Sequence, residues 1–449
     1  MRKAEIFNLR KFNKPRLSQN KNLVGALGSS YGLMALTMGI QFVLVPLYLH
    51  SMGKETFGVL TMMLASISYG AIGIGWLSGG MARILGERGA TNDGAEFAEA
   101  YSFSKWVFVG YATIAIVIFW LIAPWILTDS FEKPELRQAL IFISIYFLLM
   151  YEYNTDRLAF NALCRQTTGN VIEAAGQIVF AASVAVGLYL GGGLVSVAIA
   201  LITGAITTRG LAWMYWYQQN MGLGWRWPHL LDAAQMWQRV SGKMGRHYLM
   251  YGVLVLTLQA DVLIVGWLAG PEIAALYYLL WRIPEVCILL LGRIPGVFAP
   301  HLIQMDSRGE TAQIHQVYHK GLRILLGLSA LAGLAYGLLG NWFVHLWVGN
   351  NAPDGLMPYV LAGIALFFVA AIQWPANMAF ALVNTGPLVK VTALYLTAKL
   401  SVLYFLFDQL DYLTPLIAII ASHVLGVFFL YLKVGKEACK VKINLVNQI

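Results

Sequence analysis

The sequence predicts an all-α polytopic membrane protein with twelve transmembrane helices, divided into two halves of six, and with both termini in the cytoplasm. Three observations predict this fold class. The composition is too apolar for a soluble protein, apolar runs of about twenty residues recur along the chain, and Lys and Arg fall mainly in alternate loops.

The composition restricts the class of protein. Of the 449 residues, 58% are hydrophobic and 12% are charged, whereas soluble domains carry about 25% charged residues. A soluble chain of this composition would expose large apolar areas and aggregate, so a cytosolic enzyme, a disordered chain and a secreted disulfide scaffold are excluded. The net charge of +9 indicates basic cytoplasmic loops in a membrane protein, and we expect no nucleic-acid partner.

Twelve apolar runs are long enough to cross a bilayer as helices. Turn sequences such as Gly53-Lys54-Glu55, Gly191-Gly192-Gly193 and Gly270-Pro271 separate neighbouring runs. The predicted spans are 23–49, 57–80, 105–127, 138–160, 170–190, 194–217, 246–268, 274–299, 322–348, 357–383, 388–407 and 413–432.

The distribution of Lys and Arg predicts the orientation and the domains. The loops on the side opposite to the N-terminus hold only Lys54, Lys133 and Arg137, and the other loop cations all lie on the N-terminal side. Cytoplasmic loops are enriched in Lys and Arg, so both termini are predicted to be inside. The predicted organisation is a basic cytoplasmic tail at 1–22, a six-helix lobe at 23–217, a cytoplasmic interfacial linker at 218–245, a second lobe at 246–432 and a basic tail at 433–449.

Ionisable residues at membrane depth are the main functional signal, because each costs about 2.5–3.5 kcal/mol at a helix centre. In span eight, Arg282, Glu285 and Arg293 share one helical stripe, and the two arginines are about 16 Å apart along the axis. The stripe favours a track for an anionic group with Glu285 as a switchable partner. The alternative is a static i,i+3 pair of Arg282 and Glu285.

Three further groups lie in spans seven, eleven and twelve. Asp261 has no compensating neighbour on its own helix, so it needs a proton or a cation from another helix. It is therefore either a coupling site or half of a static bridge, for which Arg282 is one possible partner. Lys399 is interpreted as a cavity residue, and His423 as a hydrogen-bonded interior residue, with proton handling as the alternative.

The first half carries its own charged group. Glu152 and Asp156 share a face of span four at i,i+4, with Glu173 and Arg209 at comparable depth. Two interpretations stay open: a network of paired charges that closes the inner side, and an inner gate whose bridges break when a ligand enters.

Span ten carries a polar stripe of Gln373, Asn377 and Asn384. Amides at this spacing suit sugar hydroxyls or hydrogen bonds between helices. The sequence contains no Walker loop, HExxH, GxSxG or Cys/His metal cluster. We therefore expect no catalytic residues, no cofactor and no metal, and predict that the protein is not an enzyme.

Two stretches resemble a known family. Pro46-Leu47-Tyr48-Leu49, Gly53 to Gly58 and the Gly-rich second span that ends in Ala82-Arg83 are similar to the first two spans of bacterial polysaccharide exporters of the O-antigen flippase type. The run from Asp261 to Gly266 and Arg282-Ile283-Pro284 resembles the family's signature across spans seven and eight. Drug exporters and lipid-linked peptidoglycan precursor flippases share the superfamily and part of the pattern.

The resemblance implies a V-shaped pair of six-helix lobes around a central cavity with alternating access. The implied substrate is a polyprenyl-pyrophosphate-linked oligosaccharide repeat unit, as in lipopolysaccharide synthesis, carried from the inner to the outer leaflet of the bacterial cytoplasmic membrane. Arg83, Asp261 and Arg282 match the family's motif residues. Membrane lipid, protons or other cations, a polysaccharide polymerase and a chain-length regulator are the implied partners.

The charged residues within the spans and the family resemblance together predict a flippase. An ion gradient or the membrane potential is the predicted driving force, since nothing in the sequence resembles an ATPase. A cation-coupled multidrug exporter of the same superfamily is the first alternative, and an integral-membrane polysaccharide polymerase or glycosyltransferase, disfavoured by the short outer loops, is the second. The predicted substrate-binding residues are Arg83, Arg209, Arg282, Arg293, Lys399, Gln373 and Asn377. The predicted coupling or gating residues are Asp261, Glu285, Glu152 and Asp156.

Overall fold

The structure is a computed structural model that describes residues 19–90, 94–127, 133–225, 227, 230–241, 261–382 and 385–439. These residues are almost entirely helical. In chain order the α-helices are α1 Gln19–Ala90, α2 Gly94–Leu127, α3 Pro134–Ala162, α4 Gln166–Tyr189, α5 Gly193–Gln218, α6 Leu230–Ser241, α7 Asp261–Ala269, α8 Pro271–Ser307, α9 Thr311–Val348, α10 Met357–Ala371, α11 Gln373–Ala381, α12 Thr385–Leu410, α13 Thr414–Ser422 and α14 Phe428–Ala438.

Nine helical stretches of the described residues are long and apolar enough to cross a membrane. Gly28–Ser66 and Gly386–Ala438 are among those that are interrupted within their length. The first contains Gly53, and the second contains a 3-10 turn at Asp411–Leu413 and a π-helical segment at His423–Val427. Most of the predicted span 246–268 lies outside the described residues, as do parts of the predicted linker and of both tails.

Gly53 divides α1 into two helices. Its backbone has φ 77° and ψ 170°, a conformation that a residue with a side chain rarely adopts. The sequence predicted a turn here, between the first two apolar runs, and the break confirms it.

The described residues form two compact units. The first unit comprises those within Met1–Gly53 and Met63–Leu256, and the second those within Lys54–Met62 and Thr257–Ile449. The first unit is built around a buried apolar cluster to which all of α1 to α6 contribute. Its fully buried members include Met81, Phe108, Phe160, Trp216 and Val240.

In the second unit, glycines let α9 and α10 approach closely. A Cβ added to Gly333 would lie 2.5 Å from the carbonyl oxygen of Gly363, and one added to Gly363 would lie 2.3 Å from that of Gly333. Such contact between small residues is a usual way for helices to pack in a bilayer, where apolar burial gives little driving force. On α11 the fully buried Trp374 donates from Nε1 to the carbonyl oxygen of Tyr318, 3.0 Å away.

Candidate functional site

In the first unit, α3 and α5 bring two carboxylates and an arginine together. Glu152 and Asp156 lie one turn apart on α3, so both project from one side of the helix. Arg209 of α5 contacts both, with NH2 2.7 Å from Glu152 Oε1 and NH1 3.2 Å from Asp156 Oδ2. The contact agrees with the shared face predicted for the two acids, and it places Arg209 in an ion pair.

A lysine from α2 completes this group. The ammonium of Lys105 lies 2.8 Å from Glu152 Oε1, and its side chain is 1% exposed. Sequence reasoning missed Lys105. The third predicted span, 105–127, begins at that residue, and the lysine was therefore counted with the preceding loop. The helix begins at Gly94 instead, so Lys105 is well inside it. Lys105, Glu152, Asp156 and Arg209 are called the first-unit cluster below.

Asp156 is fully buried and well supplied with donors. Its Oδ1 accepts hydrogen bonds from the hydroxyl of Tyr101 at 2.5 Å and from Nε1 of Trp216 at 2.8 Å. With Arg209 on the other oxygen, the carboxylate has partners for its charged form, which removes most of the penalty for burying it. Two cations thus face two carboxylates, and the first-unit cluster is electrically balanced.

The neighbouring charges on α3 and α4 are separate from this cluster. Arg157 donates from NH2 to Asn154 Oδ1 at 2.6 Å, and Glu173 lies beside Arg157 and Tyr153. Among the described residues, the ion pairs of the predicted network join Arg209 to Glu152 and Asp156, while Glu173 lies beside Arg157 and Tyr153.

The second unit holds a buried pair of its own. The ammonium of Lys399 on α12 lies 2.6 Å from Oδ1 of Asp261 on α7, and each side chain is 2% exposed. The hydroxyl of Tyr277 donates to the other oxygen, Oδ2, at 3.0 Å. Asp261 thus has the cation from another helix that its position requires. That cation is Lys399 and not Arg282, which corrects the partner suggested from the sequence.

His423 begins the π-helical segment, where it is completely buried. Its Nδ1 donates to the carbonyl oxygen of Ile419 at 2.7 Å. The ring stacks on Phe368 and meets Tyr395 edge-on, with centroid distances of 5.4 and 4.8 Å. These contacts fit the interpretation of His423 as a hydrogen-bonded interior residue.

On α8 the two predicted track arginines differ. Arg282 NH1 is 2.7 Å from Glu285 Oε2, and the arginine also lies over the ring of Tyr278 at 5.6 Å. Arg293 is exposed, and within the described ranges no carboxylate is within ion-pair distance of it. Glu285 and Arg282 therefore form an i,i+3 pair, and Arg293 is open to contact from outside the protein. Whether Glu285 switches between partners stays a prediction.

The remaining predicted binding residues make local contacts. Arg83 is exposed and forms an ion pair with Glu87, one helical turn later, with Nε 2.8 Å from Oε1. The half-buried Asn377 donates from Nδ2 to the backbone oxygen of Gln373 at 2.7 Å, and Asn384 lies outside the described residues. The structure thus brings Arg209 together with Glu152 and Asp156, and Lys399 together with Asp261. The substrate-binding roles of these residues stay predictions.

Two solved structures share this fold at low sequence identity. One is an inward-facing conformation of a multidrug resistance MATE family transporter of the MOP superfamily, 12% identical, with a TM-score of 0.69 over 92% of this chain and 96% of that chain. The other is the lipid II flippase MurJ in an inward closed conformation, 9% identical, with a TM-score of 0.67 over 92% and 90% of the two chains. At these identities the likeness concerns the fold, and it confirms a helical polytopic membrane protein.

One curated relative is the uncharacterized membrane protein EpsK of Bacillus subtilis (strain 168). It is 25% identical over an alignment of 187 residues, and the match covers 38% of this chain and 35% of that protein. The chain therefore matches about a third of the length of this relative.

A family model described as polysaccharide biosynthesis protein matches residues 52–351. This range includes the stretches around Gly53, Arg83, Asp261 and Arg282 that carry the resemblance, and it covers more than half of the chain. The predicted polysaccharide flippase family is thereby confirmed. The chain, a multi-pass integral protein of the bacterial inner membrane, belongs to the polysaccharide biosynthesis protein family.

Proposed function

We propose that this protein is a flippase that carries polyprenyl-pyrophosphate-linked oligosaccharide repeat units from the inner to the outer leaflet of the cytoplasmic membrane. The proposal includes alternating access by two six-helix lobes at 23–217 and 246–432, with both termini and the linker 218–245 in the cytoplasm. The family match and a fold shared with a lipid flippase support it. O-antigen synthesis for lipopolysaccharide is the proposed pathway, with a polysaccharide polymerase and a chain-length regulator as proposed partners.

The observation that carries the proposal is that membrane-spanning helices of both units bury cations against carboxylates. Lys105 and Arg209 hold Glu152 and Asp156, and Lys399 holds Asp261. A pyrophosphate loses its hydration when it enters hydrocarbon, so it cannot cross unaided. Guanidinium and ammonium groups replace that hydration with charge-assisted hydrogen bonds. While no substrate is bound, a carboxylate partner avoids an unpaired buried charge.

In this proposal the phosphate group competes with the carboxylates for the cations. Arg83, Arg209, Arg282, Arg293, Lys399, Gln373 and Asn377 are the proposed substrate-binding residues. Asp261, Glu285, Glu152 and Asp156 are the proposed coupling or gating residues. A proton or another cation that neutralises Asp261 would release Lys399 for the substrate, and an ion gradient or the membrane potential, about 2.3 kcal/mol per charge per 100 mV, would drive the cycle.

Cells that lack the gene provide the test. We expect the wild-type protein to restore surface polysaccharide, and Arg282→Ala and Arg293→Ala to lower export while the amount of protein in the membrane is unchanged. Arg308→Ala is the matched control, because Arg308 is an exposed cation just beyond the same helix. Normal export in both Arg282→Ala and Arg293→Ala would rule out the cationic track.

A cation-coupled multidrug exporter is the alternative function. The fold shared with a multidrug transporter favours it, as does a buried acid, Asp156, that accepts hydrogen bonds from the aromatic residues Tyr101 and Trp216. For this alternative we expect that deletion of the gene raises the accumulation of ethidium and leaves surface polysaccharide unchanged. For the flippase we expect the reverse. In either case we propose a transport protein and not an enzyme.

A further inference from the structure

Three tryptophan rings pack against one another, one from α2 and two from the segment that follows α5. Trp106 of α2 lies parallel to Trp227, with ring centroids 4.4 Å apart and 23° between the planes, and Trp225 meets Trp106 edge-on at 4.9 Å. Trp227 is 83% exposed and Trp225 is 44% exposed. Trp227 therefore stacks one face on Trp106 and presents the other outward, as a flat aromatic surface. The three residues are called the indole platform.

The indole platform lies directly beside the first-unit cluster. The Nε1 of Trp225 donates to Glu152 Oε1 at 3.1 Å, and the ammonium of Lys105 is 5.6 Å from the centre of the Trp225 ring. Hydrogen bonds from Lys105, Arg209 and Trp225 to Glu152 all end on Oε1. Within the part of the chain that the structure describes, Oε2 of this carboxylate has no recorded hydrogen bond, so it keeps its capacity to accept one.

This arrangement differs from an ordinary interfacial belt of tryptophans, although the sequence predicts an interfacial linker at 218–245. In a belt, the ring sits in the bilayer and the N–H points to the aqueous side. Here the Trp225 N–H is committed to a carboxylate on a transmembrane helix, and the Trp227 ring stacks on another protein ring. The indole platform thus presents the outward aromatic face of Trp227 and, through Trp225, contacts the Glu152 carboxylate and the Lys105 ammonium.

A pyranose ring matches both features. One of its faces consists of C–H groups that pack on an aromatic ring, and its rim carries hydroxyls that donate to a carboxylate. We propose that the indole platform and Glu152 bind a sugar ring of the carried glycolipid, with the C–H face on Trp227 and a hydroxyl on Glu152. The inference rests on the proposed function, because the sugar is taken to be that of the lipid-linked substrate.

The test uses the full-length protein in lipid nanodiscs and soluble sugars as probes. A panel of methyl pyranosides and disaccharides of gluco, galacto, manno and N-acetylamino configuration is examined by saturation-transfer NMR. We expect at least one sugar to bind the wild-type protein. Trp227→Ala should weaken that binding roughly tenfold, the loss of one aromatic stacking contact, and Trp227→Phe should retain most of it.

Trp213→Ala is the matched control. Trp213 is also an exposed indole stacked on an aromatic ring, that of Tyr217 on the same helix, and it is 60% exposed. Normal binding by Trp213→Ala supports the platform. Absence of binding to the wild-type protein by every sugar, or equal losses in Trp213→Ala and Trp227→Ala, would overturn it. Sugar binding by a wild-type protein that fails to restore polysaccharide export would instead contradict the proposed flippase and leave the platform standing.

Discussion

At the scale of single residues, two buried carboxylates, Asp156 and Asp261, each have one cation and at least one hydrogen-bond donor as partners. Asp156 receives Arg209, Tyr101 and Trp216, and Asp261 receives Lys399 and Tyr277. Removing one member of such a group leaves the other charge without compensation, which costs more than removing both. The pair in the second unit provides the clearest test, because each of its side chains is almost fully buried.

We predict that Lys399→Met destabilises the protein by about 3–5 kcal/mol, since it leaves Asp261 buried without its cation. Asp261→Asn combined with Lys399→Met removes both charges and should recover most of that loss. The apparent melting temperature of the purified protein in detergent measures the effect. Equal melting temperatures for Lys399→Met and the wild-type protein would contradict the buried pair.

Asp261→Asn alone separates the two roles considered for Asp261, because it leaves Lys399, a proposed substrate-binding residue, in place. If Asp261 is the coupling site, gradient-dependent export is lost in this variant, because the group that exchanges a proton or cation is gone. The measurement is export per molecule of membrane-inserted protein, with and without an uncoupler. Export at the wild-type level, equally sensitive to the uncoupler, would leave the pair with a structural role only.

At the scale of helices, packing in this protein depends on close backbone approach as well as on apolar side chains. Gly333 of α9 meets Gly363 of α10, and no room remains at that point for even a methyl group. The same helix α9 carries Gly327, where an added Cβ would meet nothing within 4 Å. A stability difference between substitutions at these two positions would therefore report helix–helix contact rather than helix propensity.

We predict that Gly333→Ala lowers the stability of the protein by about 1–3 kcal/mol, because the methyl group forces α9 and α10 apart. Gly327→Ala should be neutral or slightly stabilising, since Ala favours helix and the site is open. Thermal unfolding of both variants in the same detergent is the comparison to make. If the two melting temperatures shift in the same direction and by the same amount, the close contact between α9 and α10 does not determine the stability of the protein.

At the scale of the whole molecule, the family match and the shared fold establish a polytopic membrane protein, and the direction of insertion is the next property to test. The rule that cytoplasmic loops retain Lys and Arg places the α3–α4 connection inside and the α4–α5 connection outside. The chain has a natural probe for the first, because Cys164 is exposed between α3 and α4.

We predict that a membrane-impermeant maleimide labels Cys164 in inverted vesicles but not in intact cells. For the opposite side, Gly191→Cys in a Cys164→Ser background should be labelled in intact cells. Cys439 is buried and Cys287 is half-buried, so the variant without an added cysteine gives the background. Labelling of Cys164 from outside intact cells would reverse the proposed orientation and place the indole platform on the other face of the membrane.

Local properties of the sequence determined the membrane class, the helical fold, the break at Gly53 and the requirement of Asp261 for a compensating charge. Each follows from composition, the length of apolar runs or the cost of burying a charge, which are local to a stretch of chain. Only the tertiary structure decided which helices supply the partners: Lys399 for Asp261, Lys105 for Glu152, and Trp225 for the same carboxylate. Helical periodicity assigns a residue to a face of its own helix, whereas the neighbour of that face depends on packing between segments far apart in sequence.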